Sequence, residues 1–428
     1  MSLTAPKWSS LEKILFRFFF VYFALFIIIQ NNGAYPFWGY VMEYPTEWLH
    51  TLIPWVGKNI LHISYNITVF TNGSGDTTYD YVIVFSIFLV AVISTLIWSV
   101  LDRNRANYQN LYYWLTVAIR FYLGLMLISY GLVKVFKLQF PSPGLFRLTE
   151  AYGDSSPMGL AWTFLGFSKG YNLFMGIAEV LAVLLLFRRT MIVGAIITLM
   201  AASNVMAVNY FYDVPVKILS THLVLMTLFL LLHNAKELLS FFFTSQQIQL
   251  SLIEAPKFSN RWIRISGIVF KVLLLGFSLG YGSIQASEAM KQYGDKAQKG
   301  KYDGVYNVER FIYKRDTLQP LASDTICWKQ MALEFNTFAQ IRMTNGNTKR
   351  YFLKTQSDYH SMQFALFNDS EQRFDFVYEI SDSVHLNLKG MFKGDSVKIY
   401  FKKSNAQVDD FQLTSRGFHW ISEYPYNR

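Results

Sequence analysis

The chain has 428 residues, of which 52% are hydrophobic, 18% aromatic and only 16% charged, with a formal net charge of +10. Soluble domains average roughly 25% charged residues, so the chain as a whole does not read as a soluble protein. The single cysteine, Cys327, excludes an internal disulfide, a Cys-x-x-Cys redox pair, an iron–sulfur cluster and a cysteine zinc cage.

The apolar excess lies before residue 285. From residue 301 onward, 17 Lys and Arg face 15 Asp and Glu, which leaves 22 against 14 in the earlier part. A basic membrane protein is expected, because cytoplasmic loops collect Lys and Arg. No basic stripe with interleaved aromatics occupies the later part, so nucleic acid is not implied as a partner. The composition instead predicts an integral membrane protein with a soluble C-terminal part, and the residue periodicities make these an α-helical polytopic membrane bundle followed by an all-β antiparallel barrel or sandwich domain.

About seven apolar stretches approach the roughly 20 residues that a helix needs to span a bilayer. They run Ile14–Gln30, Tyr81–Leu101, Leu115–Val135, Asn172–Phe187, Met191–Val208, Ile218–His233 and Ile265–Ile284. Lys7 and Lys13 precede the first and Arg17 lies in its opening turn, as in a signal peptide. The QNNGAYPFW that follows is a poor cleavage site, so an uncleaved first helix is expected. The external loop Asn31–Asp80 carries Trp48, Leu49, Leu52, Ile53, Val56, Ile60 and Ile63 at helical spacing. Trp38, Trp48 and Trp55 suit the headgroup region. This pattern predicts a helix lying on the membrane surface or packed on the bundle, the functional alternative being a lid over a lipid-accessible site.

Loop charge sets the expected orientation. Arg103 and Arg105 lie in the loop Asp102–Trp114, Arg188 and Arg189 form a basic turn, and Asn234–Arg264 holds Lys236, Lys257, Arg261 and Arg264. These segments and the N-terminus read as cytoplasmic. The C-terminal domain then lies on the periplasmic side of a bacterial inner membrane. Lys134, Lys137, Arg147 and Lys169, around the connection between the third and fourth spans, run against that charge rule.

The residues with chemical potential lie inside the spans. An ionisable side chain at the centre of a spanning helix costs of order ~3 kcal/mol, so it is a functional candidate by default. Arg120, Gly124, Gly131 and Lys134 lie on the third span, and Arg120 and Lys134 are 14 residues apart, close to four turns, so they face the same way. The two glycines let a neighbouring helix approach closely. Gly176 and Glu179 share one face of the fourth span. Alternating helix direction gathers Lys134, Asn204, Asn209, Asp213, Lys217 and His222 toward the external side, with Glu179 near mid-membrane and Arg120 in the inner half. Glu179 needs a cation or a proton, and Lys134, Lys217 and Arg120 are the available partners. The candidate site is therefore an intramembrane polar pocket of Arg120, Lys134, Glu179, Asn204, Asn209, Asp213, Lys217 and His222. Structural readings stand beside it: Lys134 snorkelling to headgroups, Asp213 and Lys217 as an i,i+4 pair, and Asn204 bonding between helices. A Lys–Glu pair in a dry pocket can move protons or hold a quinone or lipid headgroup. No nucleophile motif, phosphate loop, haem ladder or metal motif accompanies it, so catalytic residues are not assigned.

From Lys301 the periodicity becomes two. VYNVERFIYK, MALEFN, QIRMT, RYFLKT, RFDFVYEI, HLNLKG and VKIYFKK alternate apolar with polar residues and are separated by turn signals such as TNGN, NDSEQ and KGDS. Eight or nine strands in an antiparallel meander are expected, closed as a small barrel or sandwich. Tyr302–Gln319 reads as the first strand unit and Gln285–Gly300 as a polar linker. Cys327 reads as a buried thiol. The aromatic end RGFHWISEYPYNR, with His419 and Glu423, is expected to plug the barrel, or else to contact a partner or the mouth of the bundle. His360 and His385 lack metal-ligand spacing.

The run RFYLGLMLISYGLVKVF (Arg120–Phe136) resembles the opening helix of the DoxX family. GIAEVLAVLLLFRRTMIVGA (Gly176–Ala195) is similar to that family's second helix and turn, and NYFYDVPVKILSTHLVLMTLFLLL looks like its last helix pair. The resemblance implies a four-helix cytoplasmic-membrane core over 115–233, with Arg120, Lys134 and Glu179 at the matching positions. Around it lie 1–114 with two further spans, 234–284 with a loop and the last span, the linker 285–300 and the β domain 301–428. Some members of that family are small subunits of a thiosulfate:quinone oxidoreductase and others are accessory proteins. Two functions are therefore expected: an accessory scaffold whose periplasmic domain binds a protein partner or lipid, or a quinone-linked oxidoreductase subunit that borrows its electron carrier.

Overall fold

A computed structural model gives the fold and describes residues 7–69, 74–244, 246–256, 260–318, 325–335, 337–356, 358–367 and 369–427. Lys257, Gln319, Asn336 and Asn368, each used in the sequence reading, lie outside the described residues. The helices are α1 (Ser10–Ile29), α2 (Trp38–Asn59), α3 (Thr78–Leu101), α4 (Gln109–Val135), α5 (Leu145–Leu148), α6 (Pro157–Phe167), α7 (Lys169–Val180), α8 (Met191–Phe211), α9 (Lys217–Leu231), α10 (Ala235–Thr244), α11 (Arg261–Leu275) and α12 (Gly282–Gln292). The strands are β1 (Gly304–Tyr313), β2 (Asp316–Leu318), β3 (Trp328–Glu334), β4 (Phe338–Met343), β5 (Thr348–Gln356), β6 (Ser361–Leu366), β7 (Asp369–Ile380), β8 (His385–Phe392) and β9 (Asp395–Lys403). A last short helix, α13, spans Gln412–Ser415. The chain forms two compact units: residues 1–139 with 169–287, and residues 140–168 with 288–428.

The first unit is helical. Six segments among the described residues are long and apolar enough to cross a membrane: Thr78–Leu101, Gln109–Val135, Lys169–Leu186, Met191–Phe211, Lys217–Thr244 and Arg261–Gln292. This is compatible with a membrane protein. The expected first span, α1, is not among the six. It carries Glu12, Lys13 and Arg17 in its first two turns. Capping boxes start α1 at Ser9 with Glu12 and α3 at Thr77 with Asp80, where side chains satisfy amide groups left open at a helix start. The core gathers Phe23 and Phe26 of α1, Ile87 of α3, Ile119, Tyr122 and Met126 of α4, and Met226 and Leu230 of α9. Arg17, a flanking charge in the sequence reading, is instead buried. Its guanidinium donates to the Tyr108 hydroxyl at 2.7 Å, to Ser99 Oγ at 2.9 Å and to the Asp102 carbonyl at 2.9 Å.

The helix expected within the loop Asn31–Asp80 is present as α2. It buries Ile53 and Gly57 and leaves Phe37, Tyr40, Val41, Tyr44, Trp48 and Trp55 exposed. Of the helically spaced residues, Ile53 is buried while Trp48 is exposed, as is Ile60 just past the helix end. The expected polar linker 285–300 is helical as far as Gln292, because α12 continues from α11 through a π-helical turn at Gly276–Tyr281.

The second unit is a closed antiparallel barrel of eight strands. Each strand from β3 to β9 pairs with the next, and β1 closes the ring against β3 and β9. β2 is a three-residue strand against the end of β1. The hairpin between β8 and β9 turns at Lys393 and Gly394, both at positive φ, as a tight hairpin requires. In β5, Tyr351 and Leu353 point inward while Phe352 and Lys354 point outward, which is the period-two pattern of the sequence. An eight-stranded barrel is just wide enough for side chains to fill it. Trp328 fills the centre, with ring centroids of Phe392, Phe376, Phe364, Phe401 and Phe311 between 5.7 and 6.4 Å away. Cys327 is buried beside it.

One departure from alternation has a cause. β3 buries Gln330 and Ala332 on its outward face as well as Met331 and Leu333 on its inward face. Leu145 and Phe146 of α5 cover Ala332 and Val305 there. Outward-facing Arg342, opposite Gln330 in the ladder, donates to the carbonyls of Thr149 at 3.0 Å and Phe146 at 3.3 Å and to Gln330 Oε1 at 3.0 Å. Residues 140–168, placed by the sequence reading within the membrane core 115–233, thus belong to the barrel unit. The expected aromatic plug is also corrected: Phe418, Trp420, Ile421 and Tyr424 are 79%, 91%, 78% and 85% exposed, since the interior is already full. His419 and Glu423 are exposed with them.

Candidate functional site

The candidate site lies where α4 meets α7. On α7 the buried residues are Asn172, Gly176 and Glu179, at spacings of four and three, so they form one stripe. On α4, Gly131 and Lys134 face it. The helices touch through their glycines. A Cβ on Gly131 would lie 2.7 Å from the Gly176 carbonyl oxygen, and one on Gly176 would lie 2.7 Å from the Gly131 oxygen. No larger residue fits such an approach. Three residues further along each chain, Lys134 Nζ lies 2.6 Å from Glu179 Oε2, with side-chain exposures of 6% and 4%. The Tyr130 ring lies 5.8 Å from the ammonium.

The pair answers which cation serves Glu179. The Lys134 ammonium turns to the α4–α7 interface, where it meets Glu179. Two opposite charges in contact make a neutral unit that a dry interface tolerates, although desolvation offsets much of their attraction. Chemically, such a pair can pass a proton between its members or hold two helices in register.

Arg120 is not part of this pair. Four turns along α4, about 21 Å by helix rise, its Nε donates to the Leu185 carbonyl at 2.6 Å. α7 continues as a 3₁₀ segment, Leu181–Leu186, whose Leu184 carbonyl accepts from the Phe187 amide at the cap and whose end carbonyls are also reached by side chains. Thr190 Oγ1 donates to the Leu184 carbonyl at 2.7 Å, and Lys271 Nζ donates to the Leu186 carbonyl. Lys271 also lies 4.2 Å from the Phe187 ring centroid. Two cations thus cap the negative end of the helix that carries Glu179. Lys271 was missed by the sequence reading, although a lone Lys inside the apolar run of α11 was a visible signal.

The other candidates fall elsewhere. Asn209 Nδ2 donates to the Val216 carbonyl at 3.2 Å, closing the turn between α8 and α9. Lys217 Nζ lies 2.8 Å from Asp213, as the i,i+4 reading has it. Asp76, from the loop before α3, accepts from the backbone amides of Lys217 at 2.7 Å and Ile218 at 2.9 Å, capping α9. Asp76 went unnoticed in the sequence because its partners lie more than 140 residues away. His222 stacks on Phe26 at 3.8 Å. Its Nδ1 bonds the Ile218 carbonyl at 2.7 Å and its Nε2 the Tyr22 hydroxyl at 2.8 Å. A neutral ring with the proton on Nδ1 satisfies both contacts. Asn204 is exposed on α8. Seven of the eight residues are therefore bonded in separate places and Asn204 stands exposed on α8, so the eight do not line one open pocket.

An open apolar groove of about 480 Å³ lies between α1, α9 and α10, lined by Phe19, Leu228, Leu232 and Leu238 among others. None of the eight candidates lines it. Among the described residues, no group of three or more His, Cys, Asp and Glu side chains is placed to hold a metal ion. His385 instead pairs with Asp382 at 2.8 Å on the barrel surface and, with the amides of Val384 and His385, holds that carboxyl down at about 2.

No family model matches this chain, and no solved structure matches it. Over 126 residues it is 37% identical to the uncharacterized protein YwoB of Bacillus subtilis (strain 168), a stretch covering 29% of this chain and 79% of that protein. The chain therefore belongs to the same family as YwoB.

Proposed function

We propose that this chain is a DoxX-like accessory scaffold of the bacterial inner membrane. Its helical unit anchors it, and its periplasmic β domain binds a protein partner or lipid. The observation that carries this reading is that the intramembrane ionisable residues bond one another or the backbone while the barrel interior is filled by its own aromatics. That leaves the surfaces for function, among them the exposed Phe418, Trp420, Ile421 and Tyr424. The orientation follows from Arg103 and Arg105, Arg188 and Arg189, and Lys236 with Arg261 and Arg264. It does not depend on α1, because an even number of spans from α3 to α12 puts the loop before α3 and the β domain on one side.

The buried Lys134–Glu179 contact favours a second reading, a quinone-linked oxidoreductase subunit that relays protons through this pair. Purification of the full chain from native membranes in mild detergent, followed by mass spectrometry of proteins and lipids, separates the two. A specific protein or lipid recovered in fixed proportion, and lost when Trp420 and Tyr424 are replaced by Ser, supports the scaffold. A retained quinone, with electron transfer that Lys134→Met abolishes, overturns it in favour of the second reading.

A further inference from the structure

We propose that α8 is the contact between two copies of this chain, joined by Asn204 of each. The inference rests on the proposed membrane placement. Val193, Ile197, Met200, Asn204, Val208 and Phe211 recur at intervals of three and four along α8 and so form one stripe. Val193, Met200 and Phe211 are 55%, 71% and 82% exposed, and Asn204 is exposed between them. Among the described residues the Asn204 side chain makes no hydrogen bond, in contrast to Asn209 one and a half turns on, which is buried and bonded to Val216. Asn204 lies seven residues before the end of α8, about 10 Å along the axis, so in a spanning helix its carboxamide sits in hydrocarbon. There an unbonded amide is costly, and Asn is a residue that joins membrane helices by hydrogen bonds across the interface.

The chemistry of the carboxamide selects the occupant. It carries donors and an acceptor in one group, so two copies related by a two-fold axis satisfy each other with no further residue. The remaining stripe is apolar and supplies contact on both sides of that bond. An isologous interface places like residues opposite one another, which is the arrangement that Asn204 needs.

The test uses the full chain reconstituted in phosphatidylethanolamine–phosphatidylglycerol vesicles, with subunit number read by single-molecule photobleaching over a range of dilutions. Alkaline carbonate extraction comes first: a chain released from the vesicles fails the membrane reading itself. For a retained chain, a dimer is expected. Asn204→Leu weakens its association about tenfold, by analogy with other interhelical polar contacts, and Asn204→Gln restores it. Unchanged thermal unfolding of both variants shows that the fold is intact, because the position is exposed. A monomeric wild type, a dimer indifferent to Asn204→Leu, or a different protein held through Asn204 overturns the proposal.

Discussion

Lys134 and Glu179 form a 2.6 Å ion pair one helical turn from the point where Gly131 and Gly176 bring α4 and α7 into backbone contact. The spacing is the same on both helices, glycine followed three residues later by a charge. The glycines set the helix separation, and that close approach brings the two buried charges into contact.

Removing one member of the pair strands the other charge in an apolar interface. Lys134→Met and Glu179→Gln are each expected to destabilise the helical unit by about 3–5 kcal/mol. The double variant should recover most of that loss. Thermal unfolding in detergent measures the coupling, and purely additive losses would show that the two side chains do not act together.

Gly131→Ala places a methyl within 2.7 Å of a carbonyl oxygen and 2.7 Å of Val180 Cγ2. The helices must separate, at a cost of about 1–3 kcal/mol by overpacking. The same change at Gly124 meets chiefly the flexible end of Leu186 and should cost less. Equal losses at both positions would argue against backbone contact as the cause.

Arg342 holds residues 140–168 on the barrel. Arg342→Met keeps the stem but leaves the Thr149 and Phe146 carbonyls without their charged donor, a loss of about 2–3 kcal/mol. Limited proteolysis should then cut within residues 141–156 several-fold faster, with the β strands still protected. Unaltered cleavage would mean that Leu145 and Phe146 alone suffice to hold the segment.

Glu334 gives the barrel unit a pH dependence. Burial pushes its carboxyl above the ordinary 4.5, Asp303 pushes the same way and Arg350 opposes. The folded state therefore holds the proton more tightly than the unfolded chain. Its contribution to stability is fully present below pH 4.5 and is lost as pH rises through the raised value. Glu334→Gln keeps a neutral group at all pH and should flatten that fall while stabilising the barrel at pH 7. Amide exchange in β3–β5, followed from pH 4 to 7, reads the effect, and a variant that tracks the wild type would exclude Glu334 as its source.

The helical and β halves are legible in the sequence because their apolar residues repeat with different periods. Long apolar runs mark α3, α4 and α8, and alternation at Tyr351 and Leu353 marks β5. β6 carries the same signal in Met362 and Phe364, which the strand runs passed over. The boundary of the barrel unit is less legible. Residues 140–168 join it through Phe146 and Arg342, a contact between positions nearly 200 residues apart.

The composition of each helix face can be read along the chain: Gly131 with Lys134, Gly176 with Glu179, and the need of a buried carboxylate for a cation. Which cation serves it depends on how the helices pack. Lys134, Lys217 and Arg120 are equivalent by charge, but helix register carries Arg120 to the Leu185 carbonyl and the α8–α9 turn holds Lys217 against Asp213. Charge is a property of a residue and can be read one position at a time. Pairing depends on distance across helices, and distance is set by packing, here by two glycines that let α4 and α7 touch.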